Sequence, residues 1–80
     1  MAQVQVRAPE FDDSECAGHL LFWYKQEGEA VQRGEPLAEV ETAKAVLTVN
    51  APVTGTLARI LVPEDGDVSS WMPLGIIERR

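Results

Sequence analysis

The feature that most constrains this chain is an internal repeat. When its 80 residues are shifted by 37 and laid on themselves without a gap, seven of the 24 positions from 18 to 41 meet an identical residue. The identical pairs are Gly18/Gly55, Leu20/Leu57, Glu27/Glu64, Val31/Val68, Pro36/Pro73, Leu37/Leu74 and Glu41/Glu78. A repeat of this kind predicts two copies of one supersecondary unit, neither of which can cover its own apolar face. We therefore expect the copies to pack on each other about a pseudo-twofold axis.

Each unit is predicted to consist of strands. Short apolar stretches at 1–7, 20–25, 37–41, 45–49, 56–62 and 74–77 are separated by segments that contain Gly or Pro. No stretch of the chain keeps the period of an amphipathic helix. Short strands at close spacing are typical of an all-β sandwich or barrel. The length suits a single domain, which we assign to residues 1–80.

The repeat also predicts where Lys44 lies. In the first copy, Glu41 runs on into a hairpin whose second arm is 45–49, so Lys44 is at or beside the hairpin tip, in water. In the second copy, Glu78 is followed only by Arg79 and Arg80. The return strand that this copy lacks is predicted to be residues 3–7. The two termini should then lie side by side, at the end of the sandwich opposite Lys44.

Charge and composition exclude several classes of function. The net charge of −6 argues against nucleic acid and anionic membrane surfaces as partners, since both are negatively charged. Self-repulsion favours a monomer. The single cysteine, Cys16, excludes an internal disulfide and a cysteine-based zinc site, and it forms no convincing catalytic set with His19. No apolar run is long enough to span a membrane, and no secretory signal precedes the first strand.

Three segments carry a family resemblance. They are Glu-Gly-Glu-Ala-Val at 27–31, Gly-Glu-Pro-Leu-Ala-Glu-Val-Glu-Thr-Ala-Lys-Ala at 34–45, and Glu-Asp-Gly-Asp-Val at 64–68. Pro9, Trp23, Pro52 and Gly55 stand at matching separations. With these motifs, the chain resembles the lipoyl domain of the biotinyl/lipoyl carrier family, as found in the E2 acyltransferases of 2-oxo acid dehydrogenase complexes.

The resemblance implies a fold and a modification. The fold is a flattened barrel or sandwich of two four-stranded antiparallel sheets, also called a barrel-sandwich hybrid. The modification is lipoate in amide linkage to Lys44, with Glu41, Thr42, Ala43 and Ala45 as the hairpin context. The lipoyl group would act as a swinging arm that shuttles acyl groups and reducing equivalents. The domain itself would be non-catalytic.

The resemblance also implies partners and a compartment. The expected partners are a lipoate ligase or lipoyl transferase, a thiamine-diphosphate-dependent E1 decarboxylase, an E2 acyltransferase core and an E3 dihydrolipoyl dehydrogenase. The expected compartment is the bacterial cytoplasm or the mitochondrial matrix, not the secretory route. In lipoyl domains, a loop comparable to that of Asp12, Asp13 and Glu15 lies near the modified lysine and helps the decarboxylase to recognise the domain.

Two alternatives stay open. A biotin carrier of a carboxylase has the same fold, but its lysine is usually flanked by methionines, whereas Ala43 and Ala45 flank Lys44. An unmodified binding module would use the fold as a scaffold only.

The chain departs from the family pattern at two positions. Ala43 replaces the usual Asp, which bears on recognition by the decarboxylase. Trp71 stands where the repeat has Gly34, and we expect it to be partly buried. Phe22, Trp23 and Tyr24 are predicted to be core or half-core residues of a strand, and Glu39 and Glu41 to be solvated strand carboxylates.

Overall fold

The computed structural model describes residues 2–14 and 16–80, and these residues form two four-stranded antiparallel sheets. The strands are β1 (Gln3–Arg7), β2 (Gly18–Trp23), β3 (Ala30–Val31), β4 (Pro36–Glu41), β5 (Val46–Asn50), β6 (Gly55–Ile60), β7 (Asp67–Val68) and β8 (Pro73–Arg79). The order is β1-β8-β6-β3 in one sheet and β5-β4-β2-β7 in the other. The fold is therefore all-β, as predicted, and the sheets form a sandwich that is not closed into a barrel.

The internal repeat corresponds to a real structural equivalence between the two sheets. A shift of 37 residues carries β2 onto β6, β3 onto β7, and the start of β4 onto the start of β8. β2 and β6 also have the same burial pattern, residue by residue. β1 pairs with β8 as β5 pairs with β4, so residues 3–7 supply the return strand that the second copy lacks. This confirms the prediction made from the repeat.

The termini lie away from the β4–β5 turn, also as predicted. The backbone N–H of Arg79 donates to the carbonyl oxygen of Ala2 (2.8 Å), and that of Arg80 to the carbonyl oxygen of Thr54 (3.4 Å). Thr54 in turn accepts a hydrogen bond from Arg33, just before the start of β4. The termini thus flank the beginning of β4, and the hairpin turn follows its other end.

Two glycines of the repeat, Gly18 and Gly55, pack closely against the backbone of a neighbouring strand. A β-carbon on Gly18 would lie 2.9 Å from the carbonyl oxygen of Glu41. A β-carbon on Gly55 would come still closer to the carbonyl oxygen of Glu78. Because real β-carbons do not approach carbonyl oxygens so closely, both strand starts require glycine. The contact between Gly18 and Glu41 in the first copy is therefore repeated between Gly55 and Glu78 in the second copy.

The core fills the space between the two sheets. Its fully buried larger side chains come from both copies of the repeat, and they are Val6, Leu20, Val31, Leu37, Val40, Leu57, Val68, Leu74 and Ile77. Leu20, Val31 and Leu37 are the repeat equivalents of Leu57, Val68 and Leu74, so the two copies contribute matched side chains to one shared core.

The prediction for the aromatic segment 22–24, at the end of β2 and just beyond it, is wrong for two of its three residues. Trp23 packs against the core, but Phe22 and Tyr24 are 38% and 49% exposed. The cause is an irregularity in the β2–β4 register between Leu20 and Phe22. An extra residue in a strand shifts the inward-facing positions, so that Leu20 and Trp23, three apart, both reach the core. The rings of Phe22 and Tyr24 meet edge-on in solvent, with centroids 4.9 Å apart.

The sequence did not predict β3 and β7, because strands of two residues are too short to show an alternating pattern. Met1, which belongs to the predicted strand 1–7, and Glu15, which belongs to the predicted acidic loop, lie outside the described residues. Among residues 2–14 and 16–80, no helix has the length and apolar character needed to cross a membrane.

Candidate functional site

The turn from Thr42 to Ala45 places Lys44 at the tip of the β4–β5 hairpin. The Thr42 N–H donates to the carbonyl oxygen of Ala45 (2.8 Å), and the Thr42 hydroxyl donates to the same oxygen (2.9 Å). The hydroxyl oxygen also accepts hydrogen bonds from the N–H groups of Lys44 (3.3 Å) and Ala45 (3.1 Å). Side-chain hydroxyls stabilise turns in this way. Thr42 therefore fixes the backbone on which the lysine side chain stands.

The surroundings of Lys44 leave its amine accessible. Ala43, Lys44 and Ala45 are all exposed, and within the described part of the chain Lys44 takes part in no ion pair. The two alanines have methyl side chains, so they leave open space on both sides of the amine. The predicted hairpin context of Glu41, Thr42, Ala43 and Ala45 is thus brought together around Lys44.

The only other lysine of the chain has a different environment. Lys25 Nζ lies 3.2 Å from Glu35 Oε2, and its side chain is about a quarter exposed (24%). The backbone N–H of Gln32, which donates to Glu35, together with the Lys25 ammonium, holds the pKa of the Glu35 carboxyl below its ordinary value. Lys25 is therefore engaged in an ion pair, whereas Lys44 has none with residues 2–14 and 16–80.

Charged and polar side chains brace the base of the hairpin. His19 on β2 lies opposite Glu41 on β4, and their side chains approach within 3.1 Å. Two residues before Glu41 on β4, Glu39 accepts hydrogen bonds from the hydroxyls of Tyr24 (2.7 Å) and Thr48 (3.0 Å). This contact with Glu39 raises the pKa of the Tyr24 hydroxyl. The two glutamates are accordingly strand residues with partners on neighbouring strands, not an acid and base facing a cavity.

The loop between β1 and β2 packs beside this end of the molecule. The Phe11 ring lies against Gly18, at the point where β2 meets the end of β4. Asp12 accepts hydrogen bonds from the Ser14 hydroxyl (2.6 Å) and N–H (3.1 Å), which lower the pKa of its carboxyl. Asp13 accepts a hydrogen bond from the N–H of Ser70 (2.9 Å). Asp12 and Asp13 are thus both held by hydrogen bonds, and Asp13 is joined to the hairpin end through Ser70.

The turn from Ser69 to Met72 lies at the same end. β7 pairs with β2 so that Asp67 faces His19 and Val68 faces Gly18. Since His19 also faces Glu41, β7 runs toward the hairpin end, and the chain leaves the sheet there. The N–H of Phe11 donates to the Ser70 hydroxyl (2.8 Å), and the Arg7 guanidinium donates to the carbonyl oxygen of Trp71 (2.9 Å).

The prediction that Trp71 is partly buried is wrong. Trp71 is 56% exposed, the largest exposed fraction among the large apolar residues that the structure describes as exposed. Its φ angle is +65°, and its repeat equivalent, Gly34, has a φ of +86°. A left-handed backbone costs a residue with a β-carbon about 1–2 kcal/mol. Trp71 therefore has a backbone conformation that favours glycine, as its equivalent Gly34 does. Because the Trp71 side chain is mostly exposed, its burial offsets little of that strain.

Two contacts at this end were not predicted from the sequence. They are the pairing of His19 with Glu41 and the bonds that join Ser70 to Phe11 and Asp13. The first could have been found from the strand register. The second joins residues 57 and 59 positions apart, for which the sequence carries no signal. Among the residues that the structure describes, no group of three or more His, Cys, Asp or Glu side chains is placed to bind a metal.

Comparison with known sequences identifies similar proteins along most of the chain. Residues 4–77 match the biotin/lipoyl family described as biotin-requiring enzyme. The succinyltransferase component of the 2-oxoglutarate dehydrogenase complex of Cupriavidus necator is 46% identical over 67 residues, 84% of this chain. The acetyltransferase component of the pyruvate dehydrogenase complex of Rickettsia bellii is 38% identical over 61 residues, 76% of this chain. The chain spans only 16% and 15% of the length of these two relatives.

Comparison with solved structures agrees. The lipoyl domain of the 2-oxoglutarate dehydrogenase complex of Azotobacter vinelandii superposes with a TM-score of 0.76 and 36% identity, over 96% of this chain and 99% of that one. A domain of a single-chain long-chain acyl-CoA carboxylase gives a TM-score of 0.78 over 98% of this chain and 7% of that one. At 24% identity, the second match shows the shared fold alone.

Proposed function

The chain belongs to the biotinyl/lipoyl carrier family as a lipoyl domain, and from this premise we propose that Lys44 is the residue that carries the lipoyl group. The observation that carries the proposal is the exposed Lys44 amine on a turn ordered by Thr42. Attachment is an amide bond between Lys44 Nζ and the lipoate carboxyl, formed with net loss of one water. The attaching enzyme, a lipoate ligase or lipoyl transferase, supplies the activation.

The residues present fit this group. An amide removes the charge of the lysine, and at an exposed tip without an ion pair that removal breaks no contact within the described residues. The small side chains of Ala43 and Ala45 leave room for the attaching enzyme. When bound, lipoyl supplies a disulfide that carries an acyl group and two electrons. The chain's own contribution is to hold the attachment point on a rigid hairpin, away from both termini.

We further propose that the domain is itself non-catalytic and works within a 2-oxo acid dehydrogenase complex. There it would meet a thiamine-diphosphate-dependent E1, an E2 acyltransferase core and an E3 dihydrolipoyl dehydrogenase in turn. The relatives named as E2 components support this assignment. The proposal places the chain in the bacterial cytoplasm or the mitochondrial matrix.

The test uses the fact that the chain has only two lysines. The chain is co-expressed with a lipoate ligase in the presence of lipoate, and its intact mass is measured. We expect one lipoyl adduct, which Lys44→Ala abolishes. Lys25→Arg is the matched control and should leave the adduct in place. An unmodified wild-type chain, or an adduct that survives Lys44→Ala, would contradict the proposal. Labelling of Lys44 by a co-expressed biotin ligase instead would favour the biotin carrier.

A further inference from the structure

We propose that Trp71 is a specificity-determining residue through which a thiamine-diphosphate-dependent decarboxylase docks on the hairpin end of this domain. The inference rests on the proposed function and names a contact that the decarboxylase makes apart from Lys44. The two copies of the repeat allow each turn to be compared with its equivalent in the other half of the same molecule.

Trp71 is the position at which the two copies differ most sharply. Two turns of the first copy use glycine at positive φ, Gly28 and Gly34. Their equivalents in the second copy are Asp65 and Trp71, the two non-glycine residues with positive φ in the described chain. Aspartate tolerates the left-handed region well, but a bulky residue there is a genuine outlier. Strain of this kind, kept in a native structure, points to a functional role.

The strained turn is ordered on both sides. Ser70 is held by Phe11 and Asp13, and the Trp71 carbonyl oxygen is held by Arg7. The Ala8 N–H donates to the carbonyl oxygen of Met72 (2.9 Å), which closes the far side of the turn. An exposed indole on an ordered backbone loses little freedom when a partner covers it. Tryptophan is also one of the residue types enriched at the energetic centres of protein interfaces.

The placement of Trp71 indicates which partner covers it. A continuous series of contacts runs from Glu41 at the hairpin base through Gly18 and Phe11 to Ser70, next to Trp71. An enzyme that approaches Lys44 therefore meets Trp71 on the same end of the domain. Acidic residues of the β1–β2 loop lie at this end, with Asp13 accepting a hydrogen bond from the N–H of Ser70 and Asp12 next to it in the chain. This arrangement fits a partner with an apolar pocket and a basic rim.

Ala43 favours the decarboxylase over the attaching enzyme. The usual Asp beside the lysine, which the resemblance assigns to contact with the decarboxylase, is missing here. A contact at Trp71 would replace it. In the reaction, the decarboxylase releases CO₂ from the 2-oxo acid. Lipoyl on Lys44 would supply the acceptor: one sulfur would take the acyl group as a thioester, and the electron pair of the broken C–CO₂ bond would reduce the S–S bond, so that the other sulfur becomes a thiol with one added proton.

The experiment compares Trp71→Gly with wild type. Glycine suits the positive φ, so the variant should fold at least as well. Asp65→Gly is the matched control, because it relieves the other non-glycine positive φ, in a turn that bonds Leu20. Each chain is lipoylated, its adduct is verified by intact mass, and reductive acylation is measured with decarboxylases of the Cupriavidus necator 2-oxoglutarate complex and the Rickettsia bellii pyruvate complex.

We expect Trp71→Gly to lower kcat/KM at least tenfold with the decarboxylase that accepts the wild type, mainly through KM, while the rate of lipoylation stays unchanged. Trp71→Phe should recover part of the loss, and Asp65→Gly should match wild type. The inference would be overturned if wild type and Trp71→Gly were acylated equally, or if neither decarboxylase acylated either chain. A loss confined to the lipoylation rate would also overturn it. Failure of the proposed function would show earlier and separately, as a wild-type chain without the lipoyl adduct.

Discussion

The hydroxyl oxygen of Thr42 accepts a hydrogen bond from the backbone N–H of Lys44, two residues along the same turn (3.3 Å). The same hydroxyl bonds the N–H and the carbonyl oxygen of Ala45. One side chain thus sets the path of the backbone under the lysine. The position of Lys44, the candidate attachment residue, therefore depends on the side chain of Thr42.

Thr42→Val should therefore loosen the tip while preserving the shape of the side chain. Loss of these hydrogen bonds is expected to lower the free energy of unfolding by about 1 kcal/mol and to slow lipoylation of Lys44 several-fold. Urea unfolding and a time course of adduct formation would measure the two effects. Thr48→Val is the control, since the Thr48 hydroxyl bonds Glu39 on the strand and not the turn. Lipoylation of Thr42→Val at the wild-type rate would show that the ligase does not need the ordered turn.

The two glycines at the starts of β2 and β6 should differ in their tolerance of alanine. Both face a backbone carbonyl oxygen, but the added β-carbon would come much closer at Gly55 than at Gly18. Because backbone cannot move aside as a flexible side chain does, Gly55→Ala should destabilise the fold by about 3 kcal/mol and Gly18→Ala by about 1–2 kcal/mol. Denaturant unfolding of both variants gives the comparison. A larger loss at Gly18 would contradict this account of the repeat.

Much of the fold could be predicted because the repeat constrains topology. The pairing of β1 with β8 and the separation of Lys44 from the termini both followed from one observation, that Glu78 lacks the return strand that follows Glu41. The hairpin tip could be predicted because the turn, its lysine and its strands are contiguous in sequence.

The rest depended on features that a pattern does not reveal. The register irregularity in β2 exposes Phe22, which an alternating pattern would have placed beside Leu20 in the core. The exposure of Trp71 follows from the φ angle of its turn, and apolar character alone suggested burial. The bond between Ser70 and Asp13 arises only when the β1–β2 loop folds against the second copy.

Trp23 is expected to be the aromatic residue of β2 that matters most for stability. Its indole Nε1–H donates to the carbonyl oxygen of Val62 (2.8 Å) while its rings pack on the core. Trp23→Phe removes the donor and leaves that carbonyl without its partner, which should cost about 1–3 kcal/mol. Tyr24→Phe, at the exposed end of the segment, should change stability little. Urea unfolding measures both, and a larger effect at Tyr24 would mean that the exposed pair with Phe22 dominates.

Glu35 should make the stability of the fold depend on pH in the acidic range. The Gln32 N–H and the Lys25 ammonium favour its ionised form, so its pKa is lower in the folded than in the unfolded chain. A carboxyl with a depressed folded pKa contributes stability above its unfolded pKa, near 4.3 for glutamate, as an approximate reference. That contribution is lost as the pH falls through the folded pKa.

Glu35→Gln keeps an acceptor for Gln32 but removes the titrating charge. Urea unfolding from pH 6 down to pH 3 should therefore show a shallower loss of stability for Glu35→Gln than for wild type, with the two curves converging at the acidic end. Parallel curves would show that Glu35 has the same pKa in both states.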